Sequence, residues 1–339
     1  MNFSLDQSSS IPLYKQICRQ ITEGIGTGKL QPGDRLPSMN QLAIQLGISR
    51  ETPKKAYNRL LRDGIVKAQQ GKGVFVAGRS ERSVKEILVI LDKQSVYNQI
   101  LLQSLQDTLR ESARITILLH SQNPDVLEYY LDHHLDRYDY YVISPHFPLD
   151  EKVQKRTARL LRRIPNRKLI MLDNWIREVP GNYGVVYQDF RHDAFDALSQ
   201  ARSDIGRRLK VMVMPQSLYG SVIIRSVREF AQMAGIRLEE YRSVPPSLER
   251  GDVVLLLNSQ LDAGLVELAE KIQQAGLEPG KDVRIVSYNE MPINGLVLGG
   301  LTVMSTDFPA MGRSAAEMIL SGEPRKVHNP FHLVRRNTF

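Results

Sequence analysis

Cys18 is the only cysteine in 339 residues. A single thiol excludes an intramolecular disulfide framework and any cysteine-rich zinc site. Long apolar runs are missing too, since no stretch reaches the roughly 18 residues that a membrane span requires. The opening residues MNFSLDQSSSIPLYKQ lack a basic region followed by an apolar run, so no export signal is read there. Together these absences predict a cytoplasmic protein that uses no membrane. Catalytic signatures are absent as well: there is no His-Glu-x-x-His and no Gly-x-Ser-x-Gly, and Gly71-Lys72-Gly73 is too short for a phosphate loop. The seven histidines show no metal spacing, and the His133-His134 pair falls in a charged helical segment facing solvent. No enzyme chemistry, metal or cofactor is expected.

What is present is the composition of a folded protein, 42% hydrophobic and 24% charged, without low-complexity tracts or internal repeats. The length exceeds one ordinary core and suits two or three domains. Charge is unevenly spread along it. Residues 1–78 hold eleven Lys and Arg against five Asp and Glu, while the rest of the chain holds 34 against 32. A basic surplus confined to a small terminal segment is the electrostatic footprint of a nucleic-acid-binding module.

Apolar periodicity organises that segment. Leu13, Ile17, Ile21 and Ile25 recur every four residues and predict a first helix between Ile11 and Gly28. After the turn Gln31-Pro32-Gly33-Asp34, Ser38 caps a second helix with Met39, Leu42, Ala43 and Leu46 on one face. A third helix follows Gly47 and ends at Gly64, with Ala56, Tyr57, Leu60 and Leu61 inward and Arg50, Lys54, Lys55, Asn58, Arg59 and Arg62 around the remainder. Ile65 to Ala68 and Val74 to Ala77 read as a hairpin around Gln69-Gln70-Gly71-Lys72-Gly73. Three helices and a hairpin make a winged helix-turn-helix.

"PLYKQI", "GKLQPGDRLPSMNQLA", "LGISRETPKKAYNRLLRDGIV" and "GKGVFVA" occur in this order over about seventy residues. In this wording the segment resembles the GntR family of bacterial transcription regulators. The resemblance implies a third helix in the major groove of double-stranded DNA and a wing against the minor groove or backbone. It assigns DNA contacts to Ser38, Ser49, Arg50, Thr52, Lys54, Gln70 and Gly71. Arg50 has the forked geometry that grips guanine O6 and N7. Lys54 stands where the family often has Arg and is a point charge better suited to phosphate. Asn40 replaces another common family arginine. Lys72 at the wing tip serves either a phosphate or plain solubility.

Pro53 complicates the third helix. It lies three and four residues before Ala56 and Tyr57, on the inward stripe. If Ser49 caps the helix, Pro53 forfeits an early intrahelical bond; if Thr52 caps it, the proline takes the favoured first position. The Ser49 start is preferred, with a loosened first turn carrying Arg50 and Glu51.

A polar linker is read at 79–84, and strand-like and helical segments alternate from residue 85 to 339. Strands are expected at "EILVILD", "ITILLH", "YDYYVIS", "RKLIMLD", "KVMVMP", "DVVLLLN" and "VRIVSYN". Helices are expected between them, among others over Tyr97 to Ser112, Phe190 to Ile205, Ser221 to Ala234 and Leu261 to Ala275. This predicts an α/β fold of two half-domains with parallel sheets, binding ligands beyond the carboxyl ends of the strands. "RKLIMLD", "GSVIIRSVREFAQMAGI", "DAGLVELAEKIQQAGLEPGKDVRIVSYNE" and "LTVMSTDFPAMGRSAAEMILSG" make this part resemble the effector domain of LacI/GalR regulators, itself similar to periplasmic sugar-binding proteins. The combination resembles arabinose-repressor-like regulators.

Strand ends supply the candidate effector contacts: Asp92, Asp173, Asn258 and Asn289, together with Arg225 in the first helix of the second half. The resemblance assigns sugar contacts to Asp173, Asn258 and Arg225. Such groups match a sugar's hydroxyls, although strand-end polar residues also cap neighbouring helices. Asn289-Glu290 departs from the family's Asp-Asp pair. Trp175, the only tryptophan, either stacks on an apolar sugar face or packs at a half-domain crossover. The expectation is a homodimeric repressor of sugar-use genes, reading a palindromic operator and switched by a monosaccharide such as L-fucose or L-arabinose. A nucleoside or sugar phosphate is the alternative effector, and a plain carbohydrate-binding protein the alternative class.

Overall fold

The computed structural model describes residues 3–6, 9, 11–77, 84–213, 219–257 and 263–339. The chain divides into two compact units, Met1–Val84 and Lys85–Phe339. The linker expected at 79–84 lies, apart from Val84, outside the described residues.

The first unit is built on α1 (Leu13–Gly26), α2 (Met39–Leu46), α3 (Glu51–Arg62) and a hairpin of β1 (Val66–Gln69) and β2 (Gly73–Val76). Ile17, Ile21, Leu42, Tyr57, Leu60 and Val76 close one core, and Phe3 enters it from the amino-terminal side. Ser38 caps α2 through a reciprocal box, its hydroxyl accepting from Gln41 N at 3.2 Å while Gln41 Oε1 accepts from Ser38 N at 2.8 Å. Tyr57 is fully buried and its hydroxyl donates to Pro37 O at 2.7 Å, pinning α3 to the segment that leads into α2. Desolvation pushes that phenol's pKa upward.

The second unit has two lobes, each with a six-stranded sheet. The first sheet contains β3 (Lys85–Leu91), β4 (Ala113–Leu119), β5 (Tyr140–Ile143), β6 (Leu169–Asp173), β7 (Gly184–Tyr187) and β13 (Lys326–His328), all parallel, in the order β4-β3-β5-β6-β7-β13. The second contains β8 (Arg208–Met212), β9 (Arg237–Tyr241), β10 (Asp252–Leu256), β11 (Val283–Tyr288), β12 (Thr302–Thr306) and β14 (Phe331–Val334), in the order β9-β8-β10-β11-β12-β14 with only β14 antiparallel. The central strands are continuous apolar runs because helices cover both faces. In the first lobe α4 (Val96–Leu109) and α10 (Phe308–Ser321) pack on one face, and α5 (Pro124–His134) and α6 (Glu151–Leu161) on the other. In the second lobe α7 (Asp193–Gln200) and α8 (Gly220–Ala234) lie opposite α9 (Ala263–Gln274).

Three connections join the lobes: β7 to α7, β12 to α10, and β13 to β14. They are bonded side by side. Asn329 N donates to Tyr187 O at 2.8 Å and Asp307 N to Pro330 O at 2.9 Å. The fully buried Asn329 amide reaches Thr306 Oγ1 at 2.7 Å and Asp307 O at 2.9 Å.

Some expected boundaries shift. The helix read as ending at Ser112 stops at Leu109 and tightens into a 3₁₀ turn over Arg110–Ser112. The one read over 190–205 contracts to Asp193–Gln200, because Asp189 N donates to Asp193 Oδ2 at 2.8 Å and turns the chain before the helix begins.

Candidate functional site

The exposed face of α3 carries Arg50, Lys54 and Asn58 at four-residue spacing, so they form one row along the helix. Opposite them Pro53, Ala56, Tyr57 and Leu60 are buried, which places the proline ring in the core. Arg50 already has helical angles, φ −56° and ψ −29°, and Thr52 lies inside the helix; the alternative start at Thr52 is not observed. Ser49 Oγ accepts from Glu51 N at 3.3 Å, and Ser49 O accepts from Thr52 N at 3.0 Å. Pro53 has no N–H to offer, so the opening turn closes through this tighter i to i−3 bond before Lys54 N resumes the α pattern to Arg50 O at 3.2 Å. Lys54 Nζ pairs with Glu51 at 3.1 Å on the surface. Lys55 turns the other way, over the Tyr14 ring at 4.4 Å.

Ser38 and Ser49 are exposed near the two helix starts, and Gln70, Gly71 and Lys72 form the exposed tip of the hairpin. Gly71 holds φ +73°, a conformation that favours glycine. Arg35 was not singled out from the sequence, yet its guanidinium lies over Gly73, next to the wing tip, where an added Cβ would meet Nε at 3.2 Å.

In the second unit, the carboxyl ends of the first lobe's strands converge on a polar cluster. Asp173 ends β6 with φ +69° and Asn289 follows β11 with φ +73°. The two stand at the same position of their respective sheets, and both residue types tolerate the left-handed region. Asp173 Oδ2 lies 2.6 Å from His146 Nε2, and its Oδ1 accepts from the Gln188 amide. Burial by itself would lower the His146 pKa, but the Asp173 carboxylate overrides it and holds the imidazole above its usual range. Burial likewise opposes ionisation of Asp173, and His146 with Gln188 holds its carboxyl below the ordinary range. Asp92, at the end of β3, is buried and accepts from Asn98 Nδ2 at 3.1 Å, and its charge also favours the His146 imidazolium.

The second lobe meets this cluster with aromatic rings. Phe190 and Tyr219 stack at 4.6 Å, and His146 stands edge-on to Tyr219 at 4.8 Å. Asn174 Nδ2 donates to the Tyr219 hydroxyl at 2.8 Å and to Pro145 O at 3.1 Å. Asp193 Oδ1 accepts from His328 Nε2 at 2.8 Å, and burial raises the Asp193 pKa despite that partner. Tyr288, at the end of β11, buries a hydroxyl with no hydrogen-bond partner.

Of the expected effector contacts, Asp92 and Asp173 join this cluster, and Asn289 occupies the matching strand end of the second lobe with a buried, unpartnered Oδ1. Arg225 is not brought to it. The buried stripe of α8 runs through Ile223, Ile224, Val227 and Phe230, and Arg225 is exposed on the opposite side. Asn258 lies outside the described residues. Trp175 packs: its indole N–H donates to the Tyr183 hydroxyl at 3.2 Å, and Arg177 covers its ring at 4.3 Å. Glu290, the neighbour of Asn289, is held by Arg336 at 2.7 Å. His146, Asn174, Gln188 and Tyr219 escaped the sequence reading. The same rule, polar residues just past a strand end, points to the first three.

A winged helix-turn-helix joined to a two-lobed domain with a polar inter-lobe cluster defines a DNA-binding transcription regulator. Residues 13–76 match the model of the bacterial regulatory proteins, gntR family. The HTH-type transcriptional repressor YtrA of Bacillus subtilis (strain 168) is 32% identical over 97 residues, which are 29% of this chain and 75% of that protein. The chain belongs to the gntR family. The second unit has the fold of LacI-type effector domains. The trehalose repressor from Escherichia coli superposes with a TM-score of 0.58 at 12% identity, over 74% of this chain and all of that one. A LacI family transcriptional regulator from Lactobacillus casei, solved with bound glucose, gives 0.56 at 15% identity over 75% of this chain and 100% of that one. No described helix is long and apolar enough to cross a membrane.

Proposed function

We propose that this regulator is a homodimeric repressor of sugar-use genes whose grip on a palindromic operator is switched by a small sugar in the inter-lobe cleft. The observation that carries the reading is the set of polar side chains at the strand ends of both lobes, Asp173 and Gln188 in one and Tyr288 and Asn289 in the other, with the Phe190–Tyr219 ring pair beside His146. Polar groups of this kind orient a hydroxylated ligand, and flat rings cover its apolar face. On the DNA side Arg50 reads a base, with Lys54, Ser38, Ser49, Thr52, Gln70, Gly71 and Lys72 on the backbone. Sugar binding shifts the lobes between two arrangements, and the coupling to DNA is reciprocal.

The test is a mobility shift with the operator upstream of the protein's own gene, titrated with monosaccharides that include L-fucose and L-arabinose. A sugar-dependent change in the shifted fraction supports the reading. DNA binding that ignores every sugar removes the sensor and leaves the DNA reader standing.

A further inference from the structure

The wing is a wider sheet than its hairpin alone. Leu36 N donates to Val74 O at 2.8 Å, Val76 N to Asp34 O at 2.8 Å and Gly33 N to Val76 O at 2.9 Å, so residues 33–36, which lead into α2, run antiparallel along the second edge of β2. Lys67 pairs with Phe75 across the hairpin, and Phe75 bridges to Arg35 on its other side. Residues opposite one another in a sheet share a face, so Lys67, Phe75 and Arg35 form one row. That row lies on the outer face of the wing. Leu36, Val66 and Val76, of the opposite parity, are buried in the core, whereas Arg35 is exposed and Lys67 and Phe75 are half-buried.

From this row the Arg35 side chain runs toward the hairpin tip. Gly73 pairs with Gln69 in the last rung before Gln70, Gly71 and Lys72, and a Cβ built on it would meet Arg35 Nε at 3.2 Å, Nη2 at 3.5 Å and Cζ at 3.7 Å. The guanidinium therefore lies across the bare backbone of Gly73, whose φ of +116° also favours glycine. Among the described residues no carboxylate pairs with it and no protein acceptor takes its hydrogens. Residues 65–77 hold Lys67 and Lys72 and no Asp or Glu. Asp34, next to Arg35 in the chain, accepts from Gln31 N at 2.7 Å. Arg35 thus brings a further cation to the end of the wing that carries Lys72, and the hairpin has no carboxylate of its own to offset them. A guanidinium is always charged, and its planar fork of five donors matches phosphate oxygens.

We propose that Arg35 is a DNA-contacting residue of the wing, its guanidinium binding one backbone phosphate beside the hairpin tip, and that position 73 is glycine to let it lie there. The contacts assigned from the family wording do not include it. The inference rests on the DNA-reading role of the first unit and is independent of what the second unit senses. Neutralising a phosphate releases condensed counterions, so the contact strengthens binding on every sequence alike and weakens with salt.

The experiment is fluorescence anisotropy with the full chain, the operator duplex from upstream of its own gene and a scrambled duplex of equal length, at several salt concentrations. Arg35→Gln should lower the slope of log affinity against log salt by about 0.9, so that raising salt from about 50 to about 200 mM costs the variant about 3.5-fold less affinity than it costs the wild type. The loss should be the same factor on both duplexes, and Arg35→Lys, which keeps a cation on a long stem, should regain the slope. A residue that merely props the wing would lower affinity without moving the slope. An unchanged slope in Arg35→Gln, or one that Arg35→Lys fails to regain, overturns the contact. A loss seen on the operator alone overturns phosphate as its target. If the wild type binds neither duplex, the DNA-reading role fails and this inference falls with it.

Discussion

Asn174 of the first lobe and Tyr219 of the second share a hydrogen bond of 2.8 Å, so the cluster that would touch a ligand also ties the two lobes together. Tyr219→Phe keeps the ring stacked on Phe190 and removes only the acceptor. A neutral hydrogen bond contributes about 0.5–1.5 kcal/mol, so ligand affinity should fall roughly 2- to 12-fold. Calorimetry reads the affinity, and solution scattering should show the unliganded variant less compact.

His146 and Asp173 set a pH dependence whose sign follows from their shifts. A raised imidazole contributes fully below its unfolded value of about 6.5 and loses that contribution as pH climbs through the folded value. A depressed carboxyl contributes above about 3.9 and loses its contribution as pH falls through its lowered value. The melting-temperature gap between the wild type and His146→Gln should therefore be widest between about pH 4 and 6.5 and narrow in alkali. A gap that widened steadily from neutral to alkaline pH would contradict the pairing.

Arg50→Ala should weaken operator binding by about 1–3 kcal/mol and relax preference at one base pair. Fluorescence anisotropy with the operator and single-base variants checks both effects. An equal loss on all sequences would make Arg50 a backbone contact.

Lys54 and Glu51 compete on the same surface, 3.1 Å apart. Lys54→Ala should lower the slope of log affinity against log salt by about 0.9, whereas Glu51→Gln should tighten binding at low salt by freeing the ammonium. Titrations at several salt concentrations measure the slopes.

At Gly312 α10 runs so near α4 that an added Cβ would overlap Leu101 O. Gly312→Ala should destabilise the second unit by at least about 1–3 kcal/mol, read in urea melts.

What the sequence disclosed and what it hid have physical causes. Ser38 was readable as a cap because serine followed three residues later by Gln41 is a signature local to the chain. Buried strands such as β10 announced themselves as apolar runs. β9 did not, because Arg237-Leu238-Glu239-Glu240-Tyr241 is an edge strand whose charged residues pair along its surface. β7 is only four residues long, and β13 and β14 are short edge strands supported from elsewhere in the chain. Asp92 and Asp173 stood out as the first polar residues after apolar runs. Tyr288 was concealed inside such a run, since no local pattern tells a packed tyrosine from one whose hydroxyl lacks a partner. Arg225 was chosen from the family wording alone, and helix phase, counted against buried neighbours such as Ile224 and Val227, puts it on the exposed side of α8.

Asn329 stitches three adjacent spans of chain into one flat strap. A single strand would let one half swivel freely against the other, and two would still permit some twist. A strap three chains wide bends easily about one line and resists torsion, in the manner of a door leaf. The pull of a ligand that drew the halves together, as proposed above, would be channelled by such a strap into one repeatable swing.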